Sequence, residues 1–177
     1  MTNPSGQDGP ATIDKFEEDH AENFRQIERA PLTSLDAIER DELRQFAEWW
    51  NSRPQSPPPR SAFDILDHSR LAPFLYVIRC LNDDTYEYVL NGEEVVRMVG
   101  RSQARTCFSC EDDDPAMRSL ATYFENVVRS RQIWRCAGTL SMYDRGFIQF
   151  ESLDCPFTDD SGENISPIIG MIFRAKS

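Results

Sequence analysis

The sequence is short of several things, and each shortage removes a class of function. It has little basic charge: 19 Lys and Arg against 30 Asp and Glu leave a formal net charge of −11. That balance is the opposite of a nucleic-acid binder's electrostatic footprint, and an anionic membrane surface would repel it. It has no apolar run of membrane-spanning length, and MTNPSGQDGP at its start has no charged-then-apolar signal pattern. These absences predict a soluble protein of the cytoplasm. Histidine is scarce, with only His20 and His68, and there is no Ser/His/Asp set, phosphate loop or acid pair supported by a histidine. The chain is therefore read as a non-enzyme. Its five cysteines are an odd number, most within apolar runs, as in a reducing compartment.

What is present is organised around Ile133 to Phe157. Trp134, Cys136, Leu140 and Met142 fall on alternate positions, which predicts a strand with one buried face. Asp144-Arg145-Gly146 predicts a tight reversal with Gly146 at positive φ. The return strand starts with Ile148 and Phe150, then changes phase to Leu153, Cys155 and Phe157, which indicates a bulge or burial on both faces.

The length of 177 residues allows one domain plus an extension. Residues 1–33 are read as a flexible acidic extension. Within it Ile13, Phe16, Phe24 and Ile27 predict a weak amphipathic helix from Ala11 to Arg29. Residues 34–60 are read as a helix and a Pro-rich strap. Thr33 or Ser34 can cap the helix, and Leu35, Ile38, Leu43, Phe46, Trp49 and Trp50 make its stripe. RPQSPPPR (53–60) predicts an extended spacer. Residues 61–177 are read as the main domain.

In that domain Pro73–Leu81 and Thr85–Asn91 predict a strand pair, with Tyr86, Tyr88 and Leu90 on its packed face. Val95, Val96 and Val99 predict a short helix closed by Gly100, and Arg101–Cys110 has no clear period. Asp114-Pro115 opens a long helix carrying Met117, Leu120, Phe124, Val127 and Val128 on one face. Ile165–Phe173 predicts a last strand. Strands interrupted by helices on one side indicate an α+β fold with an antiparallel sheet.

FAEWWNSRP with PPPRSAFDIL, YVLNGEEVVRMVGR, and FESLDCPFTDDSGENISPIIGMIF occur in this order over residues 46–173. They resemble the single-domain PAS family found chiefly in alphaproteobacteria, with its W-x-x-x-R, P-x-R-x-x-F-D, Y-R-x-x-G-x-x-x-x-x-x-G-R and E-x-L-x-x-P-x-x-D-x-G segments. Ser102 and Arg105 stand where that family often has Asp and Gly. The resemblance implies a five-stranded antiparallel sheet with helices between its second and third strands covering one face; the helical N-terminal extension, read from the apolar spacing of Ala11 to Arg29, lies outside it. It also implies a sensory or interaction domain that regulates signalling through a small ligand and a partner protein.

The expected pocket lies between the sheet and the helices from Gly92 to Arg131. Its candidate residues are Tyr88, Leu90, Phe124, Trp134, Leu140 and Phe150, with Arg101 as a candidate anion holder. Haem and covalent flavin are not expected, because neither histidine falls in the helical cover and Cys107-Phe108 lacks the flavin motif's surroundings. The Cys107-x-x-Cys110 pair lacks two further zinc ligands, and Glu111–Asp114 is explained by helix capping. Glu151 and Asp154 are strand carboxylates with no evident catalytic partner. A homodimer through the N-terminal helices is expected. The alternatives are a small cone-shaped α+β enzyme of cyclase or isomerase type, and a ligand-free structural dimer.

Overall fold

The computed structural model describes residues 27–176. Seven strands form one antiparallel sheet: β1 (Glu28–Pro31), β2 (Leu75–Cys80), β3 (Thr85–Asn91), β4 (Cys107–Ser109), β5 (Trp134–Leu140), β6 (Arg145–Thr158) and β7 (Ile165–Arg174). Their spatial order is β1-β5-β6-β7-β2-β3-β4. The helices among the described residues are α1 (Asp41–Asn51), α2 (Glu93–Val99) and α3 (Pro115–Ser130), besides short 3-10 turns. The inner five strands, with α2 and α3 between the second and third of them, have the arrangement that the family resemblance implies. Two features correct it. The sheet has seven strands rather than five, and helices cover both of its faces.

The hub is β6, bonded to β5 on one side and β7 on the other. Its change of phase is burial on both faces. The register with β7 stays regular from Phe150 opposite Arg174 to Pro156 opposite Ile168. Ile148 and Phe150 enter the inner core, while Leu153, Cys155 and Phe157 enter the outer one. The reversal before β6 is a 3-10 turn, Ser141–Tyr143, and the positive φ falls at Asp144 (57°) instead of Gly146. Aspartate tolerates that conformation through local hydrogen bonding.

The inner face is covered by α2 and α3. Asp114 caps α3 by accepting the Ala116 N–H at 2.8 Å, with Pro115 in the first turn, as the sequence predicts. Gly100, at φ 91°, closes α2. Val95, Met98 and Val99 from α2 and Leu120, Phe124 and Val127 from α3 are buried against the sheet.

The outer face is covered by α1. Leu43, Phe46, Ala47 and Trp50 are buried against Leu153, Phe157, Ile169 and Met171, and the Trp50 indole N–H donates to the Pro156 carbonyl at 3.0 Å. Full burial of such side chains contributes ~1.5–3 kcal/mol each. Trp49, Phe63 and His68 extend this contact, the His68 ring stacked on Phe63 at 5.3 Å. Burial lowers the His68 pKa. The stripe of α1 is thus buried on the chain's own sheet.

The start of α1 departs from expectation. Ser34 accepts the Asp36 N–H but caps only the 3-10 turn Leu35–Ala37. The helix begins at Asp41, after the Glu151 carboxylate on β6 has accepted the N–H groups of Glu39 (3.0 Å) and Arg40 (2.8 Å). Of the expected helix at 11–29, residues 11–26 and His20 lie outside the described residues. Its end is strand: β1 pairs with β5 from Glu28 opposite Ala137 to Pro31 opposite Trp134. An open sheet edge outbids a weak helical stripe for these backbone groups. The segment without a clear period holds β4, paired to β3 through Phe108 opposite Tyr86.

Candidate functional site

Between the inner sheet face and its helical cover lies a cavity of about 80 Å³. Its apolar wall comes from α2 (Val95, Val99), α3 (Leu120, Phe124), β5 (Leu140) and β6 (Phe150). Its polar groups come from separate parts of the chain, and they form two clusters.

The first cluster surrounds Asp154. Ser152 and Asp154 continue the inward phase of Ile148 and Phe150 on β6, so Asp154 is 1% exposed beneath the cover. The Tyr76 hydroxyl on β2 donates to it at 2.7 Å and the Tyr123 hydroxyl on α3 at 2.6 Å. Tyr76 reaches it because Gly170 on β7 lies beneath the ring: a Cβ there would come within 2.0 Å of Tyr76 Cε2. The Cys136 thiol donates to the Tyr123 hydroxyl at 3.1 Å. Burial raises the Asp154 pKa, against the opposing pull of the two phenols and the Arg29 charge. Burial likewise lifts both phenols well above their ordinary range and pushes Cys136 up to about 12. Arg29, on β1, lies 5.4 Å over the Tyr123 ring and donates to the Ile27 carbonyl at 3.3 Å. Burial lowers its pKa, opposed by Cys136, the Tyr123 and Tyr143 phenols and Asp154.

The second cluster is a pair of amides. The Gln103 backbone N–H donates to Asn91 Oδ1 at 2.7 Å, which orients the Asn91 carboxamide. Asn91 Nδ2 and Gln103 Nε2 are buried and have no hydrogen-bond partner among the described residues, and both residues line the cavity. Nearby, Tyr88 and Tyr143 are joined through their hydroxyls.

Of the residues expected in the pocket, Tyr88, Phe124, Leu140 and Phe150 line this cavity. Leu90, Arg101 and Trp134 do not. A bulge in the β2–β3 pairing, between Val77 opposite Leu90 and Ile78 opposite Tyr88, reverses the phase after Tyr88. Asn91 therefore points inward and Leu90 is 46% exposed. Trp134 sits at the far end of the same face, half-buried, with its indole N–H on Ser130 Oγ at 2.8 Å. Arg101 follows the Gly100 turn into solvent, where its charge still acts on the Tyr143 phenol.

Sequence reasoning passed over Arg29, Tyr76, Asn91, Gln103, Tyr123 and Cys136, and it found Asp154 without its partners. The available signal was Asp154 itself, an acid in the inward phase of an apolar strand. Cys107 is exposed on β4, Cys110 is half-buried after it, and all five cysteines are free thiols. Among the described residues no group of His, Cys, Asp and Glu could hold a metal ion. Nor, among them, is any helix long and apolar enough to cross a membrane.

No family model matches the chain, and no curated protein matches it. Among solved structures, one described as the structure of an RNA-binding light-oxygen-voltage receptor is similar over 84% of this chain, at 15% identity and a TM-score of 0.45. The matched region is 38% of that receptor chain.

Proposed function

We propose that the chain is a PAS-type sensory domain that binds a small molecule in the inner cavity and regulates signalling by contact with a partner protein. The observation that carries this reading is the cavity: apolar walls with a few convergent polar groups, set between sheet and helical cover, are the usual form of a small-molecule site. The ordered segments that resemble the single-domain PAS family support it. Occupancy would bear on α2 and α3, whose inward residues form the roof, so ligand and helix position are coupled.

The test is native mass spectrometry of the purified full chain, followed by thermal-shift screening with small metabolites. A bound or stabilising small molecule is expected, and Val99→Phe, which fills the roof, should abolish its effect. If nothing binds and Val99→Phe raises the melting temperature, the space is only a packing defect and the sensory reading fails.

One observation favours a second reading. A buried carboxylate of raised pKa between two phenols is the equipment of general acid–base catalysis. On that reading the chain is a small cyclase or isomerase, and a ligand found by the screen would be converted by the native protein and left intact by Asp154→Asn. A sensor leaves it intact in both.

A further inference from the structure

From the two unpartnered amides we infer that the cavity takes a small, neutral, carbonyl-bearing molecule whose oxygen is held by Asn91 and Gln103. This rests on the ligand-binding reading of the cavity and names the chemistry of what binds. A buried N–H donor without an acceptor is costly, and folded proteins leave few of them. Here two belong to adjacent side chains that line one cavity. Gln103 is only 6% exposed, so bulk water does not serve it. The Asn91 carboxamide is locked by the Gln103 backbone N–H on its oxygen, which leaves Nδ2 as the free end. The pair presents donors and asks for an acceptor oxygen.

Charge selects among the molecules that carry one. Among the described residues the lining holds one formal cation, Arg29, and one acid, Asp154. These offset each other, so a carboxylate ligand would add an uncompensated negative charge to a mostly buried site in a chain of net charge −11. Two neutral amides do not compensate an anion. A ketone, lactone or amide carbonyl satisfies the same donors without that penalty. Size restricts it further: a cavity of about 80 Å³ admits only a small molecule. The rest of the molecule meets Val95, Val99, Leu120 and Phe124, so it should be apolar.

The experiment titrates the ¹⁵N-labelled full chain with cyclohexanone, δ-valerolactam, methylenecyclohexane and pentanoate, following the side-chain NH₂ resonances of Asn91 and Gln103. Methylenecyclohexane copies the ketone's shape without its oxygen, and pentanoate supplies an anion. The ketone or lactam should shift both NH₂ pairs and bind about tenfold or more tighter than methylenecyclohexane and pentanoate. Asn91→Leu and Gln103→Leu, with folding checked by circular dichroism, should erase that preference. Methylenecyclohexane binding as well as the ketone, or unchanged preference in both variants, overturns the inference and leaves the cavity a ligand site. Tightest binding of pentanoate overturns the neutrality argument and with it the inference. No binding of any probe, with Val99→Phe stabilising, overturns the inference and the sensory reading together.

Discussion

Asp154 concentrates the chemistry of this molecule in one side chain. Its carboxyl is raised from the ordinary 3.8 because burial removes water, and two phenols plus the Arg29 charge recover only part of that loss. Between 3.8 and its native value the folded chain therefore holds a proton that the unfolded chain has released. The stabilisation from this group is complete below 3.8 and disappears as pH rises through the native value. Asp154→Asn keeps the shape and removes the titration. Measured by urea midpoint, wild type minus variant should favour wild type most in acid and swing toward the variant on the way to neutral pH. A difference that stays constant across that range would mean that Asp154 titrates as an ordinary surface acid does.

At the scale of elements, a second buried acid on the same strand does the opposite work. Glu151 faces the outer side of β6, 1% exposed, and accepts from Arg135 Nε at 2.7 Å as well as from the two N–H groups that precede α1. One carboxylate thus fixes a helix start to a strand 112 residues away. Glu151→Ala would leave those donors and the Arg135 charge without their acceptor, at a cost of about 3 kcal/mol in unfolding free energy. Glu151→Gln, which keeps one acceptor oxygen, should lose less. A loss under about 1 kcal/mol for the alanine variant, well below what breaking a buried pair costs, would show that the apolar face of α1 docks it unaided. The same pair of acids marks what the sequence discloses and what it hides. The core strands and α3 were legible because period and caps are local, as at Asp114-Pro115. The start of α1 was not, because Glu151 sets it from far away. Three- and four-residue strands such as β4 and β1 are too short to show a period. Arg105 stands where the resembled family often has Gly, and its backbone keeps a positive φ of 69°. The loop adopts there a conformation that glycine would favour, with the Arg105 N–H donating to the Tyr88 carbonyl.

For the whole molecule, the apolar walls of the cavity followed from alternation, while its polar contents come from β1, β2, β3, the loop after α2, α3, β5 and the inner phase of β6. Only folding brings those together, and the β3 bulge that turns Asn91 inward leaves no mark in the residue types. The two faces of the sheet also divide the molecule by role: the inner face holds the cavity, and the outer face holds a packed core with α1. That division bears on assembly, because the outer face and α1 cover each other within one chain. A version starting at Ser61 would lose both β1 and α1, exposing Leu153, Phe157, Ile169 and Met171, all now fully buried. At ~1.5–3 kcal/mol for each, the loss is about 6–12 kcal/mol, comparable with the ~5–15 kcal/mol that holds a whole domain folded. The shortened chain should lose its cooperative thermal transition and self-associate, while the full chain keeps that transition at the same micromolar concentration. Circular dichroism and sedimentation measure the two. A shortened chain that melts cooperatively as a monomer would show that the sheet stands with its outer face bare. A well-folded dimer of it would show that a second copy can take the place of α1.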